Sequence, residues 1–371
     1  MQLENRMLFS NLSECKIQWS LAGQNGFIQV DAKRDAKVTT KIAIAKQPSS
    51  NEKLMIKVYD PRGVMIDIYA FNVVPSIAEK ASTQATIASW NYEQKGNILM
   101  ASTRNLQVQV NLVSGDIEKV RFKGDRIWNH GPRLMILPLN GWGNGTQMTG
   151  DNLDIKPYTD VCKNRIVEEI KLDKSLKEFT VSIKESYTEA KGTISYQFLS
   201  DGTLNVGYKY TVQKDVNPRQ WGFVFSLPES FQQLDWQRNG LWTYYPKDHI
   251  GRETGTAKLR SDTKISGPAG PPVLPTTAWR LDRNGLGTND FRSTKMYITQ
   301  ADLTNDTSFF SVISDGHQHI RAWQEQGSIK ALIAGYSNMG GEGFFRGHAR
   351  KMDKPLNSGD LVMDHIQIKL N

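Results

Sequence analysis

The stretch Leu106-Gln107-Val108-Gln109-Val110-Asn111-Leu112 alternates aliphatic and amide side chains without a break. Successive strand residues point to opposite faces, so this pattern encodes a strand with one face buried and one wet. Working outward, similar short segments can be read at 53–59, 64–71, 179–184, 193–199, 204–212, 221–227, 295–299, 309–314, 329–334 and 361–370. Turn signals stand between them, among them Ser114-Gly115-Asp116, Ser200-Asp201-Gly202 and Asp315-Gly316, at the spacing of antiparallel sandwiches. No sustained 3.6-residue period occurs outside 76–89, so an alternating strand-helix barrel is not encoded. The fold class expected is all-β.

The composition is that of a globular protein: 39% of the 371 residues are hydrophobic and 23% charged. No apolar run approaches the roughly 18–20 residues of a membrane span, and the N-terminus shows no apolar signal-peptide core, so neither a membrane partner nor a signal peptide on this chain is expected. The net charge of +8 is spread along the chain rather than clustered, which argues against nucleic acid. Cys15 and Cys162 are the two cysteines, far apart and outside any CxxC context. They are read as small buried hydrophobes rather than a redox or zinc pair.

Residues 1–75 have the size and rhythm of a small immunoglobulin-like sandwich. An Ala-, Ser- and Thr-rich stretch at 76–89 follows and reads as a linker. From 90 to 371 no comparable break appears, so one large antiparallel β-supersandwich is expected there. The Gly- and Pro-rich run at 267–275 cannot be a central strand, because proline lacks the ladder donor.

Several motifs are weak. Gly141-Trp142-Gly143-Asn144-Gly145 lacks the GxGxxG spacing and following helix of a nucleotide site. His317-Gln318-His319 offers two imidazoles at strand spacing, but no third ligand clusters with them, and the plainer reading is polar residues at a strand end after the Asp315-Gly316 turn. No nucleophile elbow is present. No cofactor or metal is expected. Of the nine tryptophans, Trp142 and Trp242 are flanked by glycine and polar residues, as befits loop positions where an indole face can cover a sugar ring.

Asn5-Arg6-Met7-Leu8-Phe9-Ser10-Asn11-Leu12-Ser13-Glu14, followed by Trp19, resembles the opening of the fourth domain of family 2 β-galactosidases. The large region resembles their fifth domain, a galactose mutarotase-like supersandwich, at four places. These are Gly131-Pro132-Arg133, the segment 236–248, Asn289-Asp290-Phe291-Arg292, and Met339-Gly340-Gly341-Glu342-Gly343-Phe344-Phe345. In the second, Trp236, Gly240, Tyr245 and Pro246 fit the family pattern, whereas Asn239, Leu241 and Thr243 depart from it. In the last, Phe345 stands where the family has a sugar-contacting Trp.

The resemblance implies the non-catalytic C-terminal portion, or a separate subunit, of a family 2 glycosidase. In that family the acid/base and nucleophile carboxylates sit about 5 Å apart on a (β/α)8 barrel, which this chain lacks. No Glu here is therefore nominated as catalytic. The expected partners are a carbohydrate, β-galactoside-like or another glycoside, and the catalytic barrel of the same or a partner chain. The expected carbohydrate-binding residues are Trp142, Trp242, Tyr245, Asp290, Arg292, Glu342 and Phe345. The parent protein of such a portion is expected in the periplasm or outside a bacterial cell. Two alternatives stay open: a stand-alone carbohydrate-binding protein, and an aldose 1-epimerase-like enzyme with His130 or His249 as its acid.

Overall fold

The computed structural model describes residues 1–45, 52–72, 89–138, 161–239, 253–259, 294–338 and 354–370. They fall into two compact units, with 1–72 in the first and 89–370 in the second. Nearly everything is strand. The helical element among the described residues is one 3-10 turn, Leu12–Glu14, and no helix there is long and apolar enough to cross a membrane.

The first unit contains β1 (Gln2–Glu4), β2 (Lys16–Leu21), β3 (Gln24–Ile28), β4 (Lys37–Thr39), β5 (Lys53–Tyr59) and β6 (Met65–Asn72). Strands β3-β2-β5-β6 form an antiparallel sheet and β1-β4 a second, smaller one. Ile17, Ile28 and Ile56 from the larger sheet share one apolar cluster with Leu3 and Val38 from the smaller, which makes a sandwich core. The Asn5 to Glu14 motif has an architectural job here. Asn5, fully buried, donates to Ala32 O at 2.8 Å and Ser10 O at 2.9 Å. Asn11 caps the 3-10 turn in a reciprocal box with Glu14, and Leu12 drops into the core.

The second unit runs β7 (Asn91–Lys95), β8 (Ile98–Ser102), β9 (Leu106–Asn111), β10 (Ile117–Phe122), β11 (Asp125–Trp128), β12 (His130–Pro138), β13 (Ile166–Lys174), β14 (Glu178–Ser186) and β15 (Ala190–Leu199). It continues through β16 (Thr203–Val212), β17 (Pro218–Pro228), β18 (Gln233–Arg238), β19 (Thr254–Lys258), β20 (Ile298–Thr304), β21 (Phe309–Ile313), β22 (His319–Glu325), β23 (Ser328–Ser337) and β24 (Leu361–Leu370). Two nine-stranded antiparallel sheets result. One has the order β22-β23-β17-β12-β10-β9-β8-β7 with β11 beside β10, and the other β13-β14-β15-β16-β24-β21-β20-β18-β19.

Period-2 patterning explains the layers. Leu106, Val108 and Val110 are buried, while Gln107, Gln109 and Asn111 are partly exposed. Aromatic rings bridge the two inner faces: Trp128 packs edge-on to Phe225 at 5.2 Å and lies 6.2 Å from Tyr196, and Phe225 lies 5.3 Å from Phe310. Such pairs add to the area they bury. At the turn before β16, Gly202 has φ +86°, and a Cβ there would stand 2.7 Å from both Leu370 O and the Phe122 ring, so no other residue fits.

The segment read as a strand at 295–299 departs from expectation. Tyr297 has φ +59°, outside the β region. The strand therefore starts at Ile298, and Lys295 instead makes an isolated bridge to Ile320.

One buried charge network stands at the end of β14. Glu185, 2% exposed, accepts from Arg165 Nε at 2.6 Å, Tyr210 Oη at 2.6 Å and Tyr187 Oη at 2.8 Å. Arg165 and Arg133 both reach Asp116 Oδ1 at 2.8 Å. Removing one partner of a buried pair leaves the other uncompensated, at about 3–5 kcal/mol. Arg165→Ala is accordingly expected to lower stability by about that amount at pH 7 in a chemical-denaturation experiment, with Tyr187→Phe costing about 1 kcal/mol.

Candidate functional site

Several buried polar side chains of the second unit, among them Arg219, Gln220, Ser337 and Asn338, stand at one end of the first sheet. Pro138, the last described residue of β12, pairs with Pro218 at the start of β17, and Gln220 pairs with Ser337 near the end of β23. Asn338 N donates to Arg219 O at 2.8 Å, and Asn239 N donates to Tyr297 O at 2.7 Å. Tyr297 N in turn donates to His319 Nδ1 at 2.9 Å. Gln220 Nε2 donates to Ser337 Oγ at 3.0 Å and to Thr294 Oγ1 at 3.4 Å. Asn239, Thr294 and Asn338 are thus tied to this rim by hydrogen bonds, and Pro138 by its place opposite Pro218 in the β12–β17 ladder.

The outer face of the sheet at this rim has its own cluster, separate from the main core: Met135, Leu137, Val224, Trp323, Leu332 and Ala334. Arg321 lies among them, fully buried, with its guanidinium carbon 4.6 Å from the Trp323 ring centre. Cation–π contact and a hydrogen bond from Nη1 to Gln220 Oε1 at 3.4 Å hold it there. Gly222 faces Ala334 across β17 and β23, and a Cβ on Gly222 would stand 2.1 Å from Ile333 O, so the two strands approach too closely for a side chain there. Nearby, Lys295 Nζ sits 4.5 Å over the Trp236 ring. Fixed cations, an amide and a hydroxyl beside indole faces suit an oxygen-rich ligand with apolar ring faces.

The two imidazoles read as a pair have separate roles. His319 opens β22 and is 4% exposed. Burial, then the charges of His317, Arg238 and Lys354, push its pKa down to about 4. Its Nδ1 accepts the Tyr297 N–H, so the neutral ring carries its proton on Nε2. His317 lies in the turn before the strand rather than at a strand end. Its Nε2 meets Asp364 Oδ1 at 2.8 Å and its Nδ1 meets Asp315 Oδ1. Burial works against its charge, but the two carboxylates outweigh that and raise its pKa. Both ring nitrogens of His317 and Nδ1 of His319 are engaged, and among the described residues no three His, Cys, Asp or Glu side chains group as metal ligands.

Trp142, Trp242, Tyr245, Asp290, Arg292, Glu342, Phe345 and His249 all lie outside the described residues. What the structure does fix is their approach. The chain leaves for 139–160 at Pro138, for 240–252 at Asn239 and for 339–353 at Asn338, and returns from 260–293 at Thr294. Every one of those four residues is on the rim. His130, the other epimerase candidate, is exposed and pairs with Ser226 farther along β12. Trp236 is a core residue, 3% exposed. Gln220, Arg321 and Ser337 escaped the sequence reading.

No protein-family model and no curated protein matches this chain. Among solved structures, a galactose mutarotase-like protein from Lactobacillus casei ATCC 334 is similar at 13% identity, covering 74% of this chain and 100% of its own, with TM-score 0.38. Galactose 1-epimerase from Lactobacillus acidophilus NCFM is similar at 11% identity, with coverage of 76% and 99% and TM-score 0.33. A YidC insertase is also similar, at 7% identity, with coverage of 77% and 41% and TM-score 0.29. Likenesses this distant, to proteins of such different purpose, assign no activity.

The low pKa of His319 has a testable sign. An unfolded His binds a proton near pH 6.5, but the folded one resists until about 4. The folded state therefore binds fewer protons in that window, and stability is lost as pH falls through it. A pH titration by NMR is expected to show His319 neutral at pH 5, and His319→Gln is expected to flatten the acid limb of a denaturation-midpoint profile.

Proposed function

We propose that this chain is the non-catalytic C-terminal portion, or a subunit, of a family 2 glycosidase, supporting a catalytic barrel and contributing loops to carbohydrate binding. The observation that carries the reading is the rim. The four segments bearing Trp142, Trp242, Tyr245, Asp290, Arg292, Glu342 and Phe345 all join described residues there, beside buried Arg321 and Gln220. Catalytic machinery of a retaining glycosidase needs two carboxylates facing one glycosidic bond, and this reading places them on the barrel. The finer assignment to family 2 rests on the sequence motifs, above all the Asn5 to Glu14 stretch and the glycine loop before Phe345.

In this role the sandwich supplies rigidity and the loops supply contacts, a division common among binding sites. The departures from the family pattern at Asn239, Leu241 and Thr243 alter the sugar favoured without altering the frame.

The test is calorimetric titration of the full chain with a panel of methyl glycosides, galactoside and glucoside included. Millimolar to micromolar binding of at least one is expected, with Trp142→Ala and Phe345→Ala each weakening it about tenfold, the loss of one aromatic contact. No hydrolysis of nitrophenyl glycosides is expected from this chain alone. Absence of binding across the panel, or hydrolysis without a partner, overturns the reading.

A further inference from the structure

We propose that Asp364, Tyr208, Gln318 and Trp221 form a second carbohydrate subsite, on the inner side of the rim, that takes a pair of neighbouring hydroxyl groups. Its ligand class rests on the reading above, but it uses none of the loop residues of that reading. Tyr208 lies directly opposite Asp364 across the β16–β24 ladder, so the two side chains share a face. The Asp364 side chain is 7% exposed. Its Oδ1 accepts from His317 Nε2 at 2.8 Å and from His365 N at 2.7 Å, and its Oδ2 accepts from Gln318 Nε2 at 3.0 Å. A carboxylate oxygen has two lone-pair sites, so Oδ2 retains capacity for one more donor. Gly335 makes the space: a Cβ there would stand 3.0 Å from Oδ2 and 2.4 Å from the Trp221 ring.

Two polar atoms beside this carboxylate have no hydrogen-bond partner among the described residues, Tyr208 Oη and Gln318 Oε1. Both side chains are deeply buried, Tyr208 at 5% exposure and Gln318 at 1%. The Gln318 amide cannot be turned around to cure this. Its Nε2 donates to Asp364 Oδ2 and to His365 O at 2.8 Å, two acceptors that an oxygen could not serve. Buried polar groups are almost always paired, so each orphan asks for a partner.

A vicinal diol has what the site lacks, because each hydroxyl both donates and accepts. One hydroxyl accepts from Tyr208 Oη and donates to Asp364 Oδ2, while its neighbour donates to Gln318 Oε1. Trp221, partly exposed and perpendicular to the Tyr208 ring at 6.5 Å, offers an apolar surface for ring C–H groups. A metal cation fits less well. The Gln318 amide hydrogens and the His317 imidazole already face the Asp364 oxygens that it would need.

The experiment labels the histidine rings of the full chain with 15N and titrates methyl β-galactopyranoside, methyl β-glucopyranoside, hydroxyl-free tetrahydropyran and calcium chloride, reading the His317 ring signals. A saturable shift with a glycoside and none with tetrahydropyran is expected. Tyr208→Phe keeps the ring, which packs 4.7 Å from Phe223, and is expected to weaken the glycoside about tenfold, the loss of one buried hydrogen-bond partner. Phe345→Ala is expected to leave this shift in place, which separates the subsite from the loop site. Absence of a glycoside shift, wild-type affinity in Tyr208→Phe, or the same shift from calcium chloride alone overturns the proposal.

Discussion

The large unit depends on the dryness of the space between its two nine-stranded sheets. A side chain pointing into that space must be apolar or fully paired, since an unpaired charge or amide there is costly. Two carboxylates enter it and meet the demand differently. Glu185 takes a guanidinium and two phenols, all from well-buried side chains. Asp364 sits at the open end, takes one amide, one imidazole and one backbone N–H, and leaves two orphaned oxygens beside it. The first arrangement closes a core. The second is the incomplete kind of network that a ligand can finish.

The same constraint explains where the polar residues of the outer face can stand. Arg321 is tolerated at full burial because the Trp323 ring faces its guanidinium and Gln220 accepts its hydrogen bond. The register shift between Trp221 and Gly222 serves both faces at once. A bulge re-aims the residues around it. Here Trp221 turns inward over Gly335 while Gln220 remains outward beside Ser337. One irregularity in one strand therefore shapes the rim on both sides of the sheet.

Much of the fold was legible because strand patterning is local. The segment at 53–59 coincides with β5 and that at 361–370 with β24, and the others lie within or beside observed strands. The segment at 295–299 failed because Tyr297 turns to a positive φ and gives its N–H to His319, a tertiary demand that a local pattern does not contain. The site was less legible, for two reasons. The residues carried over by family resemblance lie outside the described residues and were named by motif rather than by strand pattern. The strand residues hid in plain view. Inward positions of β24 read Val362, Asp364, Ile366, Ile368 and Leu370, an aliphatic series broken by one carboxylate. The strand read at 179–184 stopped one residue short of Glu185, the matching break in β14.

That parity break suggests a more general way to read such chains. A polar residue in the inward series of a strand needs a named partner, and the partner decides its meaning. If the partners belong to the buried core cluster, as Tyr210 and Tyr187 do for Glu185, the break is structural. If they come from a turn at the sheet end, as His317 and Gln318 do for Asp364, the break stands where solvent and ligand have access. Sequence-level consistency fails at functional sites because function asks for groups that folding alone would exclude. In this sandwich the break at Asp364 lies against Gly335, close to the end of β23, so the group that departs from the apolar pattern stands beside a strand terminus.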